Sequence, residues 1–331
     1  MSMKGFDPEF TDIVDYILRI TERIWEGKQV GLCRRFYSDD CPVYTLAGYS
    51  EGAEVVEQNT LKTLAGFPDR TLHADNIIWS GNESAGFHTS HRICSHMTNL
   101  GSSEFGEPTG KGATIQVIAH CVVKENRIVE EWLVRDNLAL ARQLGVDPQA
   151  YAEAVAARPI PEGDPQAAWL ASEWARVRDG RGWDDSWRGE SREAATVADR
   201  FAEVWNSRMV GDCRELYASH AQLHASARPV YDGVTRIEQF YLSILGAVPD
   251  ARIAFDFGCE NSMLAGDHIA LRWTMAGTHS GSALWGPASQ APVLILGESH
   301  YRLENGKVVE EWLVFDELAV LTQIARARLA Q

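Results

Sequence analysis

The most common signatures of metal, phosphate and acyl-transfer chemistry are missing from this 331-residue sequence. Its six cysteines (Cys33, Cys41, Cys94, Cys121, Cys213, Cys259) include no C-x-x-C pair, so neither a zinc ribbon nor a disulfide framework is offered. No Gly-rich phosphate loop, Gly-x-Ser-x-Gly elbow or cysteine–histidine signature occurs. His220 and His224 lie four apart but lack a third ligand, so no metal is expected. No Lys/Arg cluster interrupts a formal charge of −15. Such a surface repels a phosphate backbone and an anionic bilayer, which argues against nucleic-acid and membrane partners. No apolar run reaches the length of a membrane span. The first ten residues, with Asp7, Pro8 and Glu9, lack the apolar stretch of a signal peptide, so a reducing cytoplasm is the expected location. What remains, 45% hydrophobic and 23% charged, is the composition of a soluble globular protein.

The sequence repeats itself. VVKENRIVEEWLVRDNLALARQ, from Val122, returns as RLENGKVVEEWLVFDELAVLTQ, from Arg302, with Trp132 matching Trp312 and Asp136 matching Asp316. The same offset aligns His120 with His300, Arg92 with Arg272, His88 with His268, Trp25 with Trp205, Cys33 with Cys213 and Tyr37 with Tyr217. A one-residue shift between these blocks aligns Phe67-Pro68-Asp69 with Val248-Pro249-Asp250. The chain therefore reads as copy one over 1–146, a Trp/Pro-rich connector over 147–189 and copy two over 190–331. Trp169, Trp174, Trp183 and Trp187 in the connector suit either attachment to a domain surface or a pocket lid.

Within each copy, apolar spacing predicts helices over Phe10 to Trp25 and Glu193 to Trp205. A second helix follows at Val30 to Tyr37 and Val210 to Tyr217, and a third at Ala53 to Leu64 and Ile237 to Leu245. In copy one, β-rich runs cover Thr71 to Trp79, Phe87 to Asn99 and Ala113 to Val123. A last strand, Arg127 to Arg135, precedes a closing helix from Asn137. Helices first and strands afterwards indicate an α+β fold with helices on one face of an antiparallel sheet. Asn305-Gly306 suits a three-residue hairpin loop that pairs Leu303 with Lys307 and sets His300 opposite Glu310. Period-two alternation then puts Glu310, Trp312, Val314 and Asp316 on one face. His279 is expected at the same end of the sheet as Asp316.

In copy two the succession Trp205-Asn206, Pro249-Asp250, Gly277-Thr278-His279-Ser280-Gly281 and Glu310-Glu311-Trp312 through Asp316 resembles the SnoaL-like polyketide cyclase branch of the nuclear transport factor 2-like superfamily. Copy one carries Trp25, Pro68-Asp69, Pro108-Thr109-Gly110-Lys111 and Glu130-Glu131-Trp132 through Asp136, then Gln143-Leu144-Gly145. It departs from copy two at Glu26 for Asn206, and at Met97-Thr98-Asn99-Leu100-Gly101, where Asn99 replaces His279. The resemblance implies two tandem cystatin-like cones, each a curved antiparallel sheet around a long helix, forming a pseudo-dimer within one chain through the outer sheet faces. Further homo-oligomerisation is left open. It also implies ring closure by aldol chemistry on a small, largely apolar carbonyl compound, with an acidic residue as acid/base and no cofactor.

The acid so implied is Asp136 in copy one and Asp316 in copy two, oriented by His96 and His279 respectively. The plainer reading of either aspartate is a helix N-cap. Pocket walls are expected from Trp25, Tyr44, Trp132, Arg92 and His120 in copy one. Copy two should supply Trp205, His224, Trp312, Trp273, Arg272 and His300. The alternative for His120 and His300 is a cross-strand pair with Glu130 and Glu310. For Arg92 and Arg272 it is an ion pair with one of the glutamates of Glu-Glu-Trp. At the level of function, the alternative to an enzyme is a binding or protein-interaction module whose aspartates are only caps.

Overall fold

The computed structural model describes residues 3–183 and 185–330. The chain divides into two compact units, Met1–Asp147 with Asn261–Leu264, and Pro148–Glu260 with Ala265–Gln331. From Pro148 onward the residues read as a connector belong to unit 2.

In unit 1, helix α1 (Ile13–Thr21) starts where the Asp12 carboxylate accepts the Asp15 N–H at 2.8 Å. Its Ile13, Tyr16, Ile17 and Ile20 recur every three or four residues and are buried, the stripe an amphipathic helix turns to a core. A single π-helical segment, Glu22–Glu26, extends it past Trp25. Helix α2 (Cys33–Phe36), strands β1 (Pro42–Tyr44) and β2 (Ser50–Glu51) and helix α3 (Ala53–Gly66) follow. Four long strands come next: β3 (Thr71–Asn82), β4 (Gly86–Thr98), β5 (Gly112–Lys124) and β6 (Arg127–Arg135), closed by helix α4 (Asn137–Leu144). The two-residue strand Asn261–Ser262 completes the sheet at its β3 edge. One pairing departs from the all-antiparallel expectation, because β1 lies parallel to β6. Register shifts at Ala74/Asn76 and Val122/Val123 mark bulges, which bend strands and help the sheet curl.

Unit 2 opens with α5 (Pro148–Ala156), α6 (Pro165–Arg178) and α7 (Trp187–Glu190). The repeat of the cone then runs α8 (Arg192–Asn206), α9 (Cys213–Leu216), β7 (Tyr217–Ala225), β8 (Tyr231–Asp232), α10 (Val234–Ala247) and β9 (Arg252–Cys259). After β10 (Asn261–Ser262, the edge strand already counted in unit 1) come β11 (Asp267–His279), β12 (Ala291–Glu304), β13 (Lys307–Phe315) and α11 (Glu317–Leu329). The sheet order is β8-β7-β13-β12-β11-β9, again with one parallel pair, β7 and β13. The tryptophan-rich segment is anchored to this sheet. Trp174 donates to the Gly277 carbonyl at 3.4 Å, Arg176 pairs with Asp256 at 3.0 Å, and the buried Trp187 ring lies 6.0 Å from Phe257.

The hairpin register differs from the expected one. Glu304 pairs with Lys307 across a two-residue turn in which Asn305 (φ 52°) and Gly306 (φ 73°) are both left-handed. Glu125 (φ 46°) and Asn126 (φ 67°) make the same turn in copy one. Two left-handed residues define a type I′ turn, whose twist matches that of the flanking strands. A bulge beyond the turn then sets His300 opposite Trp312 and His120 opposite Trp132, not opposite Glu310 and Glu130.

Candidate active site

A cavity of about 800 Å³ opens inside the cone of unit 1, within the size range of small-molecule sites. Its walls are mostly apolar, with Ile17, Ile24, Ile93, Val117 and Leu133 among them. Along β6 alternate residues face inward, so Glu131, Leu133 and Arg135 line the cavity while Glu130, Trp132 and Val134 take the opposite face. Glu131 pairs with Cys121, His91 with Ala119 and Arg135 with Val117, so the three polar groups step along the interior in that order. From Glu131 to Arg135 is about 13 Å of strand at ~3.3 Å per residue. Arg70 completes the set, donating from Nε to Ser95 Oγ at 2.9 Å with its guanidinium 4.8 Å from the Trp25 ring.

Burial governs the charge states. Glu131 is 7% exposed, and desolvation pushes its carboxyl up to about 7, against the opposing pulls of Arg135 and the Tyr37 hydroxyl. The same burial raises the Tyr37 phenol well above its usual range. His91, desolvated, is lowered to about 3 and is a neutral imidazole at ordinary pH; its Nε2 has no hydrogen-bond partner. Arg70 is lowered to about 9, first by burial and then by the charge of Arg135. Arg135 Nε is also buried without a partner. A weakly acidic carboxyl, a neutral imidazole and two guanidiniums thus share one apolar chamber.

The interior of unit 2 is occupied differently. Where copy one has Thr21, Thr60 and Cys121, copy two has Phe201, Tyr241 and Tyr301, all buried. Phe201 stacks on Tyr241 at 6.3 Å and 6°, lies 5.2 Å from Tyr301, and Trp205 lies 4.7 Å from Tyr241. Tyr217 Oη and Tyr241 Oη are 2.8 Å apart, and Tyr217 also donates to Glu311. Glu311 is fully buried and, like its counterpart, raised to about 7 by desolvation. In copy two, then, tyrosine rings and hydroxyls surround the carboxyl.

The aspartates expected to be acids are helix N-caps. Asp136 accepts the Ala139 N–H at 3.0 Å at the start of α4, and Asp316 accepts the Ala319 N–H at 3.1 Å at the start of α11. His279 does not meet Asp316. Its Nδ1 lies 2.9 Å from Ser289 Oγ and its Nε2 3.1 Å from the Leu284 carbonyl, so both nitrogens hold the loop between β11 and β12. The register explains the separation: His279 pairs with Ala291, whereas Phe315, next to Asp316, pairs with Gly297, six residues away or roughly 20 Å along β12. Asn99 does the same loop work in copy one, donating to the Gly101 carbonyl at 2.8 Å and accepting the Thr109 N–H at 2.9 Å. His96 is exposed, 2.9 Å from Thr114 Oγ1, and does not line the chamber.

Of the expected wall residues in copy one, Trp25 lines the cavity. Tyr44, Trp132 and His120 form a ring cluster on the opposite sheet face, with Tyr44 5.3 Å and His120 5.2 Å from Trp132. Arg92, also on that face, pairs with Asp75 at 3.0 Å. In copy two, His224 stacks on Trp312 at 5.5 Å, and buried His300 lies across from it. Buried Arg272 acts on the Asp256 carboxyl, whose rise through burial it and Arg176 oppose. Trp205 and Trp273 are inside the cone but belong to its filling.

Several shared motifs prove to be scaffold. Asp69 and Asp250 of Pro-Asp accept the N–H of Thr98 (2.8 Å) and Thr278 (2.7 Å). Asn206 is doubly bonded to the Ile253 backbone, and Glu26 accepts the Leu72 N–H at 2.9 Å. Gln143 and Gln323 each bond both backbone groups of one residue on β5 or β12. Among the described residues, no three His, Cys, Asp or Glu side chains are grouped so as to hold a metal ion, and no helix is long and apolar enough to cross a membrane.

A curled sheet closed over helices, built twice in one chain and enclosing an apolar chamber in the first copy, defines a tandem cone protein. The family profile described as SnoaL-like polyketide cyclase matches residues 16–144 and again 195–324, and the chain belongs to that family, once per copy. Similar solved structures include a protein described as a SnoaL-like polyketide cyclase from Jannaschia sp. CCS1, at 19% identity over 41% of this chain and 93% of that one, TM-score 0.37. IdmH of Streptomyces antibioticus, described as a polyketide cyclase, is 22% identical over 40% and 97%, TM-score 0.34. AclR of Streptomyces galilaeus, described as a hydroxylase, is 21% identical over 39% and 92%, TM-score 0.34. No curated protein matches the chain.

Proposed function

We propose that copy one is an acid/base catalyst for a small, largely apolar carbonyl compound, needing no cofactor, and that copy two is a non-catalytic companion fold. The observation that supports this is a buried carboxyl, Glu131, held near neutrality on the wall of a largely apolar cavity. A group with such a pKa can both take and return a proton at physiological pH, which makes it an efficient general acid/base. Glu131 removes a proton next to the substrate carbonyl. The neutral His91 donates a hydrogen bond to the developing enolate in a chamber of low dielectric. The enolate then closes a ring, re-protonates at another carbon or adds to an electrophile within the substrate. On this reading Asp136 and Asp316 are caps, and the rings in copy two leave Glu311 out of reach of substrate.

The test is exchange of α-protons of small cyclic ketones in heavy water, followed by NMR. Glu131→Gln should slow enzyme-dependent exchange by about a hundredfold or more, within the range general acid/base groups contribute. Glu311→Gln and Asp316→Asn should leave it unchanged. Full exchange by Glu131→Gln would sink the proposal.

A further inference from the structure

We infer that the ligand of copy one is an apolar molecule bearing an anionic group, a carboxylate or a sulfonate-like acid, bound between Arg70 and Arg135. This deepens the proposal above and shares its cavity, but not its catalytic step. Both guanidiniums line the cavity. Arg70 is 5% exposed, and its one side-chain hydrogen bond is the neutral contact to Ser95. Arg135 Nε is buried with no partner. Among the described residues, neither arginine has a carboxylate within ion-pair distance.

Arginine stays charged in proteins, and two like charges sharing an apolar chamber without counter-ions are costly. An anion restores what burial removed, and the planar forks of two guanidiniums suit the oxygens of a carboxylate or sulfonate. The two carboxyls on the wall do not supply this, because neither Glu131, four residues before Arg135 on β6 and on the Cys121 row, nor the exposed Glu104 lies within ion-pair distance of either arginine. The rest of the chamber is largely hydrocarbon, so the body of the ligand is apolar. With a formal charge of −15 overall, this pair is a local reversal of the sign that dominates the chain. The ligand is thus oriented with its anionic end at the arginines and its uncharged, reactive end toward Glu131.

Two fluorescent probes with one body separate the anion from the apolar part: 8-anilinonaphthalene-1-sulfonate and N-phenyl-1-naphthylamine, which lacks the sulfonate. Titration of the full chain at pH 7 should give at least about tenfold tighter binding of the sulfonate, the scale of a charge-assisted contact. Arg135→Gln and Arg70→Gln should each cut that preference while the uncharged dye still binds. Thr60→Tyr, which installs the residue found at the equivalent position of copy two, should abolish binding of both by filling the chamber. Equal or tighter binding of the uncharged dye to the unmodified chain would overturn the inference without any variant having to fold. So would a sulfonate preference that survives both arginine changes, or binding that survives Thr60→Tyr. Glu131→Gln keeps the two proposals apart: the sulfonate preference should persist in it whatever becomes of proton exchange.

Discussion

Trp273 lies so close over Gly297, its cross-strand partner, that a Cβ on the glycine would come 2.1 Å from the indole. The equivalent pair in copy one is Ile93 and Val117, both on the cavity wall. A large and a small residue have thus replaced two of middle size on neighbouring strands, and the ring fills space that copy one leaves open. Gly297→Ala should therefore destabilise the chain by roughly 1–3 kcal/mol, the usual cost of overpacking a core. Adding Trp273→Ile should recover much of the loss. Urea unfolding of the single and double variants checks this, and simple additivity of the two effects would contradict it.

Experiment can tell a capping role for Asp136 from an acid's role. Asp136→Ala should cost about 1 kcal/mol, the typical loss of an N-cap, whereas Asp136→Asn keeps an acceptor for the Ala139 N–H and should stay close to the parent in thermal melts. If Asp136→Asn instead abolishes α-proton exchange while Glu131→Gln does not, the acid is Asp136 and the proposal fails.

Stability should change with pH in a direction set by Glu131. Its folded pKa of about 7 exceeds its ordinary 4.5, so the folded state holds the proton more tightly. That stabilisation is fully present below about pH 4.5 and is lost as pH rises through 7. His91, lowered from 6.5 to about 3, works the other way, its penalty on the folded state disappearing as pH rises through 6.5. Glu131→Gln removes only the first contribution. Between pH 5 and 8 the parent should lose up to roughly 3 kcal/mol relative to this variant, since each tenfold difference in proton affinity between folded and unfolded chains is worth about 1.4 kcal/mol. Urea midpoints that run parallel for the two proteins across that range would refute the assignment.

His279 should matter to order in its loop and not to turnover. Both ring nitrogens are engaged by Ser289 and Leu284, so His279→Ala should accelerate amide exchange across residues 280–290 and leave proton exchange by copy one intact. Asn99→Ala should loosen the equivalent loop of copy one in the same way. Hydrogen-exchange mass spectrometry reads both.

Much of the architecture is legible in the sequence because duplication displays each element twice and strand alternation sorts Glu130, Trp132 and Val134 from Glu131, Leu133 and Arg135. The alternation does not say which set faces the chamber. The Asp at the strand end draws attention to the Trp132 face, although the groups that line the cavity lie on the other. Hairpin register differs for a local reason: Asn305-Gly306 is a complete two-residue turn, and the bulge after it moves every later pairing. One useful signal does stand in the aligned copies. Thr21, Thr60 and Cys121 against Phe201, Tyr241 and Tyr301 is a change in side-chain volume at three interior positions, and it marks which copy keeps room for a ligand. The shared motifs could not reveal this, because Asp69, Asp250, Gln143 and Gln323 hold backbone in both copies alike.

The aromatic filling of copy two also bears on how the chain answers a rising ligand concentration. On the proposed reading Phe201, Tyr241 and Tyr301 fill copy two, and duplication of the fold does not double the number of seats. Each polypeptide should saturate at one equivalent along a simple hyperbola. The sigmoidal response open to a receptor with two coupled seats is then unavailable to a single chain, however its two halves communicate.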